Sequence, residues 1–148
     1  MTETPQNIVE FRNVGFQIDG AKILDDLNFV VSKGETLVLL GESGCGKTTT
    51  LKLINRLYEP TSGAVLVEGK ATVDWDAIAL RRRIGYVLQE AGLFPHFTVA
   101  ENIALVPLLE NWDKAARQTR TQEMLELVGL NPNKFAARFP HELSGGQR

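Results

Sequence analysis

Thr36-Leu-Val-Leu-Leu-Gly-Glu-Ser-Gly-Cys-Gly-Lys-Thr-Thr49 decides how this chain is read. The continuous apolar run from Thr36 to Leu40 is the pattern of a parallel strand covered on both faces. Beyond the glycine-rich segment, Leu51, Ile54, Leu57 and Tyr58 recur at helical spacing, and Pro60 requires the helix to have ended before it. Strand, glycine loop and helix therefore follow one another directly. The loop matches G-x-x-x-x-G-K-[ST] at Gly41, Gly46, Lys47 and Thr48. Such a loop turns successive backbone N–H groups into one concavity that holds phosphate oxygens, and side chains at Gly41, Gly44 or Gly46 would obstruct it. Lys47 supplies positive charge for the β- and γ-phosphates, the Thr48 hydroxyl suits a Mg²⁺ ion, and the helix adds the positive end of its dipole. The candidate nucleotide-binding set is Gly41, Glu42, Ser43, Gly44, Cys45, Gly46, Lys47, Thr48 and Thr49. Cys45 reads as a small space-filling residue, with a thiol activated by the helix N-terminus as the alternative.

Upstream, Val9 and Phe11 alternate with Ile8, Glu10 and Arg12, and Leu27, Phe29 and Val31 alternate with Asn28 and Ser32, the period of half-buried strands. Asp19-Gly20 and Lys33-Gly34 are turn signals. Downstream, residues 63–68 and 84–88 read as further strands, with Asp76 placed to cap a short helix between them. Arg81, Arg82 and Arg83 form the only basic run and read as a solvated helix end that favours the dipole. From Gly92 the pattern becomes helical. Thr98-Val-Ala-Glu101 is a capping box, Met124, Leu125, Leu127 and Val128 line a helix face, and Gly129 is placed to stop that helix. These readings predict an α/β part over residues 1–90 and a helical part over 91–148.

The chain has 148 residues, 43% of them hydrophobic, with 16 Lys and Arg against 18 Asp and Glu. This is a globular composition without the basic field that broad nucleic-acid binding requires. The first residues lack the charge and apolar core of an export signal, and no apolar run is long enough to span a bilayer. A single cysteine cannot form an internal disulfide. A cytoplasmic protein is expected.

A phosphate loop alone leaves kinases, GTPases and transport ATPases open. The order Leu143-Ser144-Gly145-Gly146-Gln147 downstream of it resembles the signature motif of ATP-binding cassette (ABC) ATPases. Ser144 and Gln147 also have the spacing of a capping box at a helix start. The resemblance extends over essentially the whole chain and implies a P-loop NTPase (RecA-like) α/β core, an N-terminal antiparallel β-subdomain and a helical subdomain that stops at the signature. It implies that Gln89 is the Q-loop glutamine, contacting Mg²⁺ and the attacking water. Leu143 to Gln147 would meet ATP held by the opposite protomer. The stretch from Gly92 to Thr98 would dock a membrane subunit. The family's Walker B strand, catalytic glutamate and switch histidine lie after the signature, so neither His96 nor His141 is the switch. The chain is thus expected to be part of a longer reading frame and inactive alone. The family's adenine-stacking aromatic aligns with Ile18, and Phe16 reads as packing.

The segments RRRIGYVLQEAGLFPHFTVAENIALVP and GLNPNKFAARFPHELSGGQR are similar to importer ATPases for quaternary amines such as glycine betaine, choline and carnitine. This implies ATP and Mg²⁺ as cofactors, with a second ABC protomer, a permease and a substrate-binding protein as partners. Nucleic acid is not expected among them. Import of another small solute such as an amino acid, and a non-transport ABC ATPase acting on nucleic acid or ribosomes, are the alternatives.

Overall fold

The computed structural model describes residues 6–88 and 92–148. It divides into two compact units, Met1–Gly85 and Tyr86–Arg148.

The first unit is built on an antiparallel sheet in the order β2-β1-β3-β4, from β1 (Asn7–Ile18), β2 (Ala21–Ser32), β3 (Ser62–Val67) and β4 (Lys70–Ala71). β1 and β2 form a hairpin through Asp19 and Gly20, both at positive φ, the turn chemistry the sequence signals. Simple alternation does not hold along β1, because Val14, Gly15 and Phe16 are buried in succession. The register shifts on either side of Val14, where Asn13 takes φ 49° opposite a strand in which Asp26 takes φ 47°. Asn13 Nδ2 donates to Asp26 Oδ1 at 2.8 Å, Asn28 Nδ2 donates to the same oxygen at 3.0 Å, and the Asn13 N–H donates to Asn28 Oδ1 at 2.7 Å. This polar knot fixes a bulge that re-aims the strand onto the core.

Helix α1 (Lys47–Ile54) packs Leu53 among Phe11, Val14, Phe16, Leu24 and Val65. It is shorter than the spacing predicts, and Leu53 rather than Leu51 is its buried leucine. Arg56 adopts φ 52°, and the Leu57 N–H returns to the Lys52 carbonyl at 2.9 Å. That is a helix stop of the kind usually built on glycine. Tyr58 lies beyond the stop and stacks on Phe16, ring centroids 5.0 Å apart.

Asp76 caps α2 (Ala77–Arg83) by accepting from the Ala79 N–H at 2.8 Å. The arginine run at its end is more than a solvated terminus. Arg81 donates to the Asn55 and Arg56 carbonyls at the end of α1, and Arg83 pairs with Glu68 at 2.9 Å.

The parallel strand expected at residues 36–40 and the further strand expected at 84–88 do not form among the described residues. Neither segment enters a hydrogen-bonded ladder, and Leu40 and Val87 are 87% and 94% exposed. A continuous apolar strand gains its burial from neighbouring strands and a covering layer. Here the described sheet is wholly antiparallel and lies elsewhere in the chain.

The second unit carries α3 (Val99–Leu109), α4 (Lys114–Leu127) and the single-turn α5 (Pro132–Phe135). Its core joins Val99, Leu125, Phe135 and Leu143. The Thr98/Glu101 capping box is formed, and Gly129 at φ 73° ends α4 with the Leu130 N–H on the Leu125 carbonyl at 2.8 Å. The buried face of α4 is Thr121 and Leu125. Leu127 and Val128, read from the sequence as part of that face, are exposed because the helix ends there and turns them outward. Among the described residues no helix is long and apolar enough to cross a membrane.

Candidate functional site

The glycine loop is held between β2 and α1. Gly46 is the residue before the first helical turn, at φ 95°, and a Cβ on it would lie 2.6 Å from Leu24 Cδ2 and 3.3 Å from the Ile23 carbonyl oxygen. Glycine is required twice there, by dihedral and by space. No side chain caps α1, so its first amides remain available to an anion. Thr50 fastens the turn from within, its N–H and hydroxyl both donating to the Gly46 carbonyl, at 2.8 and 3.0 Å.

Lys47 folds back over the loop. Its ammonium donates to the Gly41 and Glu42 carbonyls at 2.8 and 2.7 Å, with Cys45 Sγ at 3.5 Å. The positive charge is therefore centred on the loop that leads into an uncapped helix N-terminus. Thr48 is exposed on the first turn of that helix. This donor set fits a phosphate chain: backbone amides and an ammonium for its oxygens, and a hydroxyl suited to a hard divalent cation beside it. Cys45 is exposed, so space filling in a core is not its role, although its sulfur is the first atom a side chain at Gly41 would meet, at 2.6 Å.

The other sites expected from the sequence fall separately. Ile18 lies at the tip of the β1–β2 hairpin, paired with Ala21 and 42% exposed. Phe16 is only 6% exposed and stacked on Tyr58, a packing residue as expected. Gln89, the expected Q-loop residue, lies outside the described residues.

In the second unit the signature segment is a buried anchor followed by an exposed turn. Leu143 is 5% exposed and belongs to the helical core, whereas Ser144, Gly145, Gly146 and Gln147 are all exposed. Leu143 therefore positions the segment and presents no side chain to an outside ligand. The Ser144 N–H donates to Gln147 Oε1 at 3.0 Å, and its carbonyl accepts from the Gln147 and Arg148 N–H groups at 3.0 and 3.2 Å. Ser144 thus heads a single 3₁₀ turn over Gly145–Gln147. A Cβ at Gly145 or Gly146 would meet nothing within 4 Å.

One organising residue escaped the sequence reading. Asn102, on the second turn of α3, accepts from the Phe94 N–H at 2.8 Å and donates to the Phe97 and Thr98 carbonyls at 3.2 and 2.9 Å. It shapes the Phe94–Thr98 turn expected to face a membrane subunit. An asparagine placed directly after the Thr98/Glu101 box and before the apolar run that opens at Ile103 was the available signal. The Glu101 carboxyl is held below its ordinary range by the Thr98 N–H and then by the Thr98 hydroxyl.

The family described as ABC transporter matches residues 24–148. The osmoprotectant import ATP-binding protein OsmV of Salmonella typhimurium is 54% identical over 86% of this chain and 33% of its own length. The choline transport ATP-binding protein OpuBA of Bacillus subtilis is 49% identical over 87% of this chain and 34% of its own length. The chain therefore spans about a third of the length of these curated relatives. Among solved structures, the dimeric post-hydrolysis state of the ATP-binding cassette MJ0796 bound to ADP and Pi superposes with a TM-score of 0.81 at 32% identity, covering 95% of this chain and 65% of that one. With the family match extending from β2 through the phosphate loop to the signature turn, the chain belongs to the ABC transporter family.

Proposed function

We propose that this chain is the ATP-binding part of the energy-coupling subunit of an importer for quaternary-amine osmoprotectants. The observation that carries the reading is the Gly41–Thr49 loop, which brings the Lys47 ammonium over backbone that ends on an uncapped helix N-terminus. On nucleotide binding, Lys47 exchanges the Gly41 and Glu42 carbonyls for phosphate oxygens, and the α1 amides hold the same chain of phosphates. Thr48 and Gln89 would hold Mg²⁺, which draws charge from the phosphate oxygens when bound. Gln89 also orients the attacking water. Ser144, Gly145 and Gly146 are directed to the γ-phosphate held by a second protomer. Their exposure, and the open space at both glycines, supports a contact made by something arriving from outside.

In this reading two protomers close around ATP and reopen after hydrolysis, and a permease fed by a substrate-binding protein follows that motion at the cytoplasmic face of the membrane. Residues 1–90 form the ATP-binding part and residues 91–148 the helical part. The cargo is supported by relatives whose names specify osmoprotectants, choline, and glycine betaine with carnitine.

The test is uptake of labelled glycine betaine and choline by cells deficient in both, carrying the reading frame that contains this chain together with its permease. Uptake should fall to background in Lys47→Ala. It should do the same in Ser144→Arg while ATP binding persists. Full uptake in Lys47→Ala contradicts the proposal, and amino-acid uptake in place of the quaternary amines favours the alternative cargo.

A further inference from the structure

Thr48, Thr49 and Thr50 follow one another in the first turn of α1, although β-branched residues are poor helix formers. Thr50 is the buried one, 3% exposed. An alanine or a leucine would suit that helix position better on propensity alone, so the hydroxyl is the feature to explain. It donates to the Gly46 carbonyl at 3.0 Å, and the Thr50 N–H donates to the same oxygen at 2.8 Å. The N–H by itself closes the first bond of the helix. The hydroxyl is a second tie on a carbonyl already bonded.

Thr121 provides a comparison within the same chain. Its hydroxyl makes the same bond inside α4, to the Arg117 carbonyl at 2.9 Å, the ordinary way for a buried helical threonine to satisfy itself. What differs at Thr50 is the peptide being held. A trans peptide is planar, with its C=O and N–H pointing in opposite directions, so fixing one aims the other. The N–H that shares a peptide with the Arg117 carbonyl is that of Gln118, which lies beyond the unpaired first amides of α4 and is used by that helix. The N–H that shares a peptide with the Gly46 carbonyl is that of Lys47. No side chain caps α1, and the Lys47 N–H donates to no acceptor among the described residues. Gly46, at φ 95°, has no Cβ to restrain this peptide from its own side. Two donors on one carbonyl also polarise the peptide and strengthen its N–H as a donor.

We propose that Thr50 is a positioning residue for nucleotide binding, its hydroxyl fixing the Gly46–Lys47 peptide so that the Lys47 N–H is aimed into the phosphate-binding concavity. Thr50 itself stays buried and touches no phosphate. The proposal deepens, and rests on, the reading of residues 41–49 as a phosphate loop.

The test is titration of ATP, and separately of inorganic tripolyphosphate, into the 148-residue chain and into Thr50→Val, Thr50→Ser and Thr121→Val. Thr50→Val keeps the branched shape and removes only the hydroxyl, leaving the backbone N–H on the Gly46 carbonyl. It should weaken both ligands severalfold, up to about tenfold. Thr50→Ser keeps the hydroxyl and loses a buried methyl, so its melting temperature should fall while its affinity stays within about twofold of the unmodified chain. Thr121→Val should bind as the unmodified chain does. In the unmodified chain, the Lys47 amide resonance should move saturably on addition of tripolyphosphate, a readout that needs no variant to fold. Native affinity in Thr50→Val, an equal loss in Thr50→Ser or in Thr121→Val, or a Lys47 amide that does not respond would each overturn the proposal while leaving the phosphate loop in place. Absence of ATP binding by the unmodified chain would overturn the loop reading and this proposal together.

Discussion

The chain contains two glycine-rich turns at the start of helical segments, and they are built in opposite ways. In the phosphate loop the fold itself demands glycine: Gly46 stands at positive φ against Leu24 and Ile23, and Lys47 is tied to the loop carbonyls. In the signature turn the fold demands only Leu143, which fills the helical core, while Gly145 and Gly146 meet nothing within 4 Å and have no positive φ to satisfy. A glycine needed by its own fold reports on folding. The glycines of the signature turn are not required by the packing or the dihedrals of the described residues.

Substitutions can break this comparison. The largest effect on stability is expected from Leu143→Ala, at about 2 to 5 kcal/mol, because it opens a cavity in the small helical core. Thermal unfolding that is unaffected would show that the signature segment is not anchored there. Gly46→Ala should cost about 1 to 3 kcal/mol through its dihedral and its approach to Leu24, and should weaken ATP binding as well. If it binds ATP normally, the loop can be rebuilt without its close contact with β2. A smaller effect follows from the β1–β2 bulge, where hydrogen bonds from Asn13 and then Asn28 hold the Asp26 carboxyl below the usual aspartate range. A depressed folded-state pKa stabilises above the unfolded value and is lost as pH falls through the folded one. Melting temperature should therefore decline on the acid side, and Asp26→Asn should flatten that decline by lowering the neutral-pH value toward the acid one. An identical acid limb in the variant would remove Asp26 from the account. Gly145→Ala should shift stability by less than about 0.5 kcal/mol, as an exposed change against open space. A marked loss of melting temperature would mean that the turn's glycines serve the fold after all.

The features legible in the sequence are those in which one residue type carries the geometry. The phosphate loop, the Asp76 cap, the Thr98/Glu101 box and the Gly129 stop all form where the residues place them. Illegible features use unexpected residues for the same geometry. Asn13 and Asp26 enter the left-handed region inside strands, and Arg56 ends α1 in a conformation usually given to glycine. Two consequences follow from them: successive buried residues along β1, and Tyr58 against Phe16 rather than on a longer helix. The apolar runs at 36–40 and 84–88 form no strand among the described residues for a different reason, since apolarity announces what could be buried but not which neighbour buries it. At the site, motif spacing and the family resemblance named the loop and signature residues as candidates, but not that Leu143 faces inward or that Asn102 shapes the Phe94–Thr98 turn.

The central claim is that residues 41–49 form a phosphate-binding loop organised around Lys47. Titration calorimetry of ATP into the 148-residue chain, beside Lys47→Ala, tests it most directly. The account predicts saturable binding by the unmodified chain and a loss of about tenfold or more in the variant, since an ammonium–phosphate hydrogen bond contributes about 1.5 to 3 kcal/mol. Equal affinity in the two chains would contradict it.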